Sequence, residues 1–135
     1  MSPDEQLTRV LASAPDVTLA VLFGSVARNE ARAASDLDVG VLFACERPDS
    51  SAVLAAALAR ATGRQVDVVR LNDAPPLLRF EIARDGRLLL ERTAHAWIDF
   101  RAKAMIDWWD WAPTARALHA AAISRLREKL AHGAP

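Results

Sequence analysis

Three aspartates have the residue type and the spacing for phosphate chemistry on metal ions. Asp36 and Asp38 stand two positions apart at the start of the alternating segment "DLDVGVLF", so on a β-strand both side chains project from one face, with Cα atoms about 6.6 Å apart. Asp67, in "VDVV", completes a cluster if its strand lies beside that of Asp38. Carboxylates near phosphate oxygens suit Mg²⁺, and three of them can hold two ions about 4 Å apart. Such a pair stabilises the attacking and leaving oxygens of a phosphoryl or nucleotidyl transfer.

A glycine–serine pair upstream has the position of a phosphate-binding turn. Gly24 and Ser25 follow the apolar run "VTLAVLF", and "SVAR" has the character of a short helix. A helix N-terminus presents unpaired N–H groups that bind phosphate oxygens. Gly24 lets a ligand approach the backbone, and Ser25 can cap the helix and offer its hydroxyl. For Arg28 two interpretations stay open, steering a triphosphate or lying solvated on the helix, and for Arg32 the second is favoured.

The surrounding pattern predicts strands and helices in alternation. Ser2 with Pro3 and Glu5 indicates a capped helix that Pro15 ends. The apolar periodicity predicts strands over 17–23, 36–43 and 65–71, with a serine-capped helix over 50–63 between the last two. A short helix over 77–83, a turn at residues 85–86 and a strand over 87–91 follow. This order indicates one α/β or α+β sandwich domain.

The C-terminal segment, from about residue 94 to 131, is predicted to be helical with an interruption near Pro113. Before Pro113, apolar residues recur at spacings of three and four, which predicts one broad stripe made of Trp97, Phe100, Ala104, Trp108 and Trp111. The last helix carries apolar residues at intervals of four, namely Leu118, Ala122, Leu126 and Leu130. The four tryptophans favour core packing over a partner surface, yet "IDWWDW" covers nearly every side of a helix. We therefore expect at least one tryptophan to be exposed.

Composition excludes several functional classes. The 135 residues carry 17 basic and 17 acidic side chains, so the broad positive field of a nucleic-acid-binding protein is missing. No apolar run approaches the roughly 20 residues of a membrane span. The single cysteine, Cys45, is predicted to be a small buried residue, and with three scattered histidines a zinc site is not expected. With no leader sequence, a cytoplasmic protein is expected.

The arrangement of Gly24-Ser25, ten residues, Asp36-x-Asp38 and a later Asp67 resembles the nucleotidyltransferases of the polymerase-beta type. Within that superfamily the chain is similar to the minimal nucleotidyltransferases (MNT), the antitoxin partners of HEPN/MNT toxin–antitoxin pairs. The likeness extends over nearly the whole chain: it is carried by residues 22–43, residues 65–92 and the helical C-terminal segment. It implies a nucleotidyltransferase fold, a small mixed sheet with flanking helices, in a single domain over residues 1–135.

The resemblance also assigns roles to the candidate residues. Asp36 and Asp38 would ligate two Mg²⁺ ions, and Asp67 would help to position a metal and take the proton from the acceptor hydroxyl. Gly24 and Ser25 would hold the triphosphate of ATP.

One departure from the family pattern is Asn29, where many relatives have glycine. Because asparagine tolerates a left-handed conformation, this change does not count against activity.

The leading hypothesis is an Mg²⁺-dependent protein adenylyltransferase that acts as an antitoxin. Relatives that modify small molecules generally carry a further domain for the acceptor, and 135 residues leave no room for one. The resemblance then implies a HEPN ribonuclease toxin as partner, with AMP transferred to a tyrosine, in a homo-oligomer or hetero-oligomer. Two alternatives stay open: a non-catalytic antitoxin that neutralises by binding, and a nucleotidyltransferase for small molecules such as aminoglycosides. At the site itself, the aspartates could also be surface charges on an edge strand.

Overall fold

The computed structural model describes residues 1–24, 36–45 and 47–132. In chain order these residues form α1 (Pro3–Ala12), β1 (Val17–Phe23), β2 (Leu37–Phe43), α2 (Ser50–Thr62), β3 (Val66–Arg70), α3 (Pro76–Asp85), β4 (Arg87–Glu91) and α4 (Ala96–Ala131). None of the helices in these ranges has the length and the apolar character to cross a membrane.

The strands form one mixed sheet in the order β3-β2-β1-β4. β1 is antiparallel to both β2 and β4, whereas β2 and β3 are parallel. A parallel pair needs a long crossover, which the 13 residues of α2 supply. As a result, the C-terminal end of β1 and the N-terminal ends of β2 and β3 lie at the same end of the sheet. The register places Phe23 opposite Asp38 and Asp38 opposite Asp67, in one row across the sheet.

Apolar side chains cover both faces of the sheet, because successive residues of a strand point to opposite sides. On one face α1 and α2 pack through Leu7, Leu11, Leu54 and Leu58 against strand residues such as Val39. On the other face, α3 and α4 enclose a second cluster, whose buried members are Leu19, Val21, Leu71, Ile82, Ala83, Phe100 and Ala104. The predicted α/β sandwich is confirmed, with the sheet as its middle layer.

Two predicted helix starts have different outcomes. At α1 the Ser2 Oγ accepts a hydrogen bond of 3.2 Å from the Glu5 N–H, so the predicted cap is confirmed. At α2 the predicted serine cap is wrong: Asp49 is the N-cap residue, and its side chain caps nothing. Ser50 Oγ accepts instead from the Arg47 N–H, because it turns back toward the preceding loop.

Three further predictions differ from the structure. β2 begins at Leu37, so Asp36 lies just before the strand. Cys45 is exposed, because β2 has already ended and the chain has left the core. The predicted break near Pro113 is absent, since α4 runs from Ala96 to Ala131. A proline removes only one backbone donor, and the alanine-rich turns around it favour the helix strongly enough to continue.

Candidate active site

Two carboxylates face each other across neighbouring parallel strands. Asp38 on β2 is partly buried, and its register partner on β3 is the exposed Asp67. Residues paired in this way point to the same face of the sheet, on strands about 4.8 Å apart. That face is the one covered by α3 and α4, because Val39, the next residue, belongs to the opposite core. The condition stated for the sequence, that the strand of Asp67 lies beside that of Asp38, is therefore met.

Asp36 joins this pair from outside the sheet. It is exposed and directly precedes β2, two residues from Asp38. The alternative that these aspartates are surface charges on an edge strand fits Asp67, because β3 is an edge strand of the described sheet. It does not fit Asp38, which lies on the inner strand β2. A partly buried carboxylate on an inner strand requires a counter-charge or a hydrogen-bonding partner to be stable.

Gly24 brings the backbone directly against the Asp38 carboxylate. Its φ is +79°, a conformation that side chains other than glycine rarely adopt. A Cβ built at this position would lie 2.5 Å from Asp38 Oδ2. Only glycine therefore allows β1 to turn away while leaving the carboxylate in place. The sequence predicted a close approach of a ligand to this backbone; in the structure the close neighbour of Gly24 is the Asp38 carboxylate.

The electrostatic environment of the site disfavours the ionised form of Asp38 when no cation is bound. Burial, followed by the negative charges of Asp67 and Asp36, raises the pKa of Asp38 above its ordinary value. Each of these causes makes the ionised form of Asp38 less favourable, and a bound cation would counter all of them. A titratable group perturbed both by burial and by neighbouring charges is typical of a functional site.

The donor set fits a hard divalent cation such as Mg²⁺. All three candidate ligands offer carboxylate oxygens, without the sulfur or imidazole donors that favour zinc. Within the described ranges, no three acidic, histidine or cysteine side chains are gathered into a ready metal cage. Mg²⁺ does not need such a cage, because it is commonly held by one or two carboxylates together with substrate phosphates and water.

Phe23 is a site neighbour that sequence reasoning missed. It lies opposite Asp38 in the sheet register and packs, half-buried, against the α3/α4 core. Its place directly before Gly24 was the available signal. The predicted phosphate-binding residues Ser25 and Arg28, together with Asn29 and Arg32, lie outside the described residues.

A glycine turn beside carboxylates on neighbouring strands of a mixed sheet with helices on both faces agrees with the nucleotidyltransferase fold and site that the sequence resemblance implies. The chain belongs to the family described as "Polymerase beta, Nucleotidyltransferase", which matches residues 5–95. All the described site residues, Gly24, Asp36, Asp38 and Asp67, fall inside this match.

Individual relatives agree with the family and the fold. The chain is 28% identical over 110 residues to the protein adenylyltransferase MntA of Aphanizomenon flos-aquae (strain 2012/KM1/D3), covering 73% of each protein. It superposes with a TM-score of 0.79 and 24% identity on a chain from the crystal structure of a toxin-antitoxin with AMP-PNP, covering 89% of this chain and 98% of that one.

A second solved structure is similar at the same level. One chain from the complex of a tri-AMPylated Shewanella oneidensis HEPN toxin with MNT antitoxin matches with a TM-score of 0.74 and 24% identity. The match covers 90% of this chain and 96% of that one. These two likenesses establish the nucleotidyltransferase fold.

Proposed function

We propose that this chain is an Mg²⁺-dependent protein adenylyltransferase that transfers AMP from ATP to a tyrosine of a HEPN toxin and thereby acts as an antitoxin. The observation that carries the proposal is the in-register pairing of Asp38 with Asp67, with Gly24 packed against Asp38. A single domain over residues 1–135 would suffice, because the partner brings the acceptor hydroxyl.

Each site residue has a role in this reaction. Asp36 and Asp38 would hold Mg²⁺, which when bound neutralises charge on the phosphates and on the attacking and leaving oxygens. Asp67 would help to position a metal, and its exposed carboxylate is reachable by a hydroxyl of a second protein. In the transfer, the tyrosine oxygen bonds to the α-phosphorus, pyrophosphate leaves, and Asp67 takes the phenolic proton.

The nucleotide would be held at the end of β1. Gly24 gives the triphosphate close access to the backbone, and Ser25 would add its hydroxyl and the N–H groups of a helix start. Arg28 would contribute positive charge to the phosphates.

The known relatives support this particular reaction. The curated relative at 28% identity is a protein adenylyltransferase. The same fold occurs in complexes that contain AMP-PNP or an AMPylated HEPN toxin. These relatives support ATP as the nucleotide and a HEPN toxin as the acceptor in the proposal.

The direct test combines the full chain with ATP, Mg²⁺ and the product of the neighbouring gene, and measures AMP addition by mass spectrometry. Asp38→Asn should reduce the transfer rate at least about a hundredfold, because metal stabilisation of the transition state is worth several kcal/mol. Asp49→Asn is the matched control, since Asp49 is exposed at the start of α2 and its side chain makes no cap hydrogen bond. Absence of an adduct, or an adduct undiminished by Asp38→Asn, would overturn the proposal.

Neutralisation by binding alone is the second candidate function. It is favoured by the exposed apolar surface of α4, where 67% of Trp109 is accessible to solvent. The two candidates separate in cells that express the toxin. If neutralisation depends on binding alone, Asp36→Asn and Asp67→Asn still protect the cells, whereas an adenylyltransferase loses protection with either substitution.

A further inference from the structure

The second half of α4, residues 113–131, extends away from the rest of the described protein; we call it the free half. α4 packs antiparallel to α3, with Arg101 bonded to the Ala83 carbonyl and Asp107 to Arg79. Its last buried residue is Ala112. At 1.5 Å per residue, the free half then continues for about 28 Å, past the N-terminal end of α3.

The free half carries an apolar stripe that continues the packing face of the first half. Five turns of an α-helix, about 18 residues, separate Phe100 from Leu118, and the same interval separates Ala104 from Ala122. Phe100 and Ala104 are buried in the α3/α4 core, whereas Leu118 is 58% exposed. Further along the same stripe, 52% of Leu126 and 67% of Leu130 are exposed. The helix therefore presents core-type residues where the described protein provides nothing to cover them.

The free half lacks the packing that stabilises most helices. In proteins, helical stability comes mainly from burying an apolar face, and the stripe of the free half is exposed in the described protein. The free half also contains Pro113, which removes one backbone hydrogen bond. Both features indicate a helix that is stabilised by a binding partner.

The charges of the free half indicate what kind of protein surface it can bind. The free half carries four basic side chains, Arg116, Arg125, Arg127 and Lys129, against the single acidic Glu128. If two copies of the chain met through this stripe, these cations would lie against each other, which is unfavourable. An acidic surface would instead attract them. The fitting occupant is a different protein with an apolar groove bordered by acidic residues, which receives the helix in the usual helix-in-groove manner.

We propose that the free half of α4 is the docking element for the protein that receives the nucleotidyl group, bound through an apolar groove with an acidic rim. This rests on the proposed function for the identity of the partner. The docking element leaves the domain beyond the N-terminus of α3, and α3 follows the C-terminal end of β3 in the chain. Asp67 lies near the opposite, N-terminal end of β3. Binding and transfer therefore use different surfaces and can be separated by substitution.

The test measures the affinity of the full chain for the purified neighbouring-gene product by titration calorimetry, without ATP. Leu126→Glu places a charge on the stripe, and Ser124→Glu places the same charge on the opposite side of the same turn. Glutamate is a good helix former, so both variants keep the helix. We expect Leu126→Glu to weaken binding at least tenfold, about 1.4 kcal/mol, and Ser124→Glu to change it less than about twofold. The double variant Arg125→Glu/Lys129→Glu should also weaken binding and reduce its salt dependence.

The outcomes test the docking proposal separately from the adenylyltransferase proposal. If Leu126→Glu binds like the wild type, or the wild type does not bind the neighbouring product, the docking proposal is overturned even where AMP transfer is observed. If Leu126→Glu changes only the association of the chain with itself, measured by light scattering, a second copy is the occupant and the proposal is also overturned. If binding behaves as expected while no AMP is transferred, the free half stands as a docking element for the neighbouring product, and the adenylyltransferase proposal fails together with the assignment of that product as the acceptor.

Discussion

Replacing Gly24 with alanine should damage the site more than it damages the fold. The residue has φ +79°, where an alanine costs about 1–2 kcal/mol. The new Cβ would lie 2.5 Å from Asp38 Oδ2, so the carboxylate must rotate away at a further cost of about 0.5–1.5 kcal/mol. The free energy of unfolding should therefore fall by about 1.5–3.5 kcal/mol. Because an error of about 1 Å in a reacting group can cost a hundredfold in rate, AMP transfer should fall by about that factor.

Gly63 provides the matched control for this substitution. It ends α2 with φ +67°, and a Cβ there would meet nothing within 4 Å. Gly63→Ala should therefore carry the backbone strain alone, about 1–2 kcal/mol, and leave the transfer rate unchanged. The two variants have the same chemical change and similar backbone strain, and they differ in the contact with Asp38.

Urea unfolding and the initial rate of AMP transfer, both measured at a temperature where each variant is folded, give the comparison. Equal losses of activity in Gly24→Ala and Gly63→Ala would show that strain, and not displacement of Asp38, is responsible. Full activity in Gly24→Ala would refute the inferred role of the close contact.

Two further predictions concern stability. Burial, then Asp67 and Asp36, raise the pKa of Asp38 in the folded state above 3.8, so stability falls as pH rises from the unfolded pKa through the raised one. Asp38→Asn should stabilise the protein against urea at pH 7 and lose that advantage near about pH 3; an equal gain at both pH values would contradict this. Arg92 donates hydrogen bonds to the Val17 carbonyl, at 2.6 Å, and to carbonyls at the end of α1. Arg92→Ala should lower the free energy of unfolding, measured in urea, by about 1–3 kcal/mol. Arg92→Lys should recover only part of this loss. A loss below about 0.5 kcal/mol in Arg92→Ala would contradict the stabilising role of these hydrogen bonds.

Local chemistry accounts for the features that the sequence predicted well. The alternation of Val39 and Val41 with their neighbours defines a strand, and the cap at Ser2 defines the start of α1, because pleat and capping depend on residues close in the chain. At least one exposed tryptophan was expected for the same reason, since adjacent tryptophans on a helix cannot all face one side, and Trp109 is exposed. The residue types of the site were also readable, because carboxylates on an apolar strand are costly without a function.

Tertiary structure decided how these local features meet. That Asp38 lies opposite Asp67 depends on β3 pairing in parallel with β2, a contact between residues far apart in the chain. The approach of Gly24 to Asp38 depends likewise on the pairing of β1 with β2. That Leu126 is left exposed reflects where the core ends, which its helical spacing alone does not show. By itself the sequence determined which groups could do chemistry and which segments are strands or helices; strand order and register, which arise from long-range packing, decided which of those groups share a site.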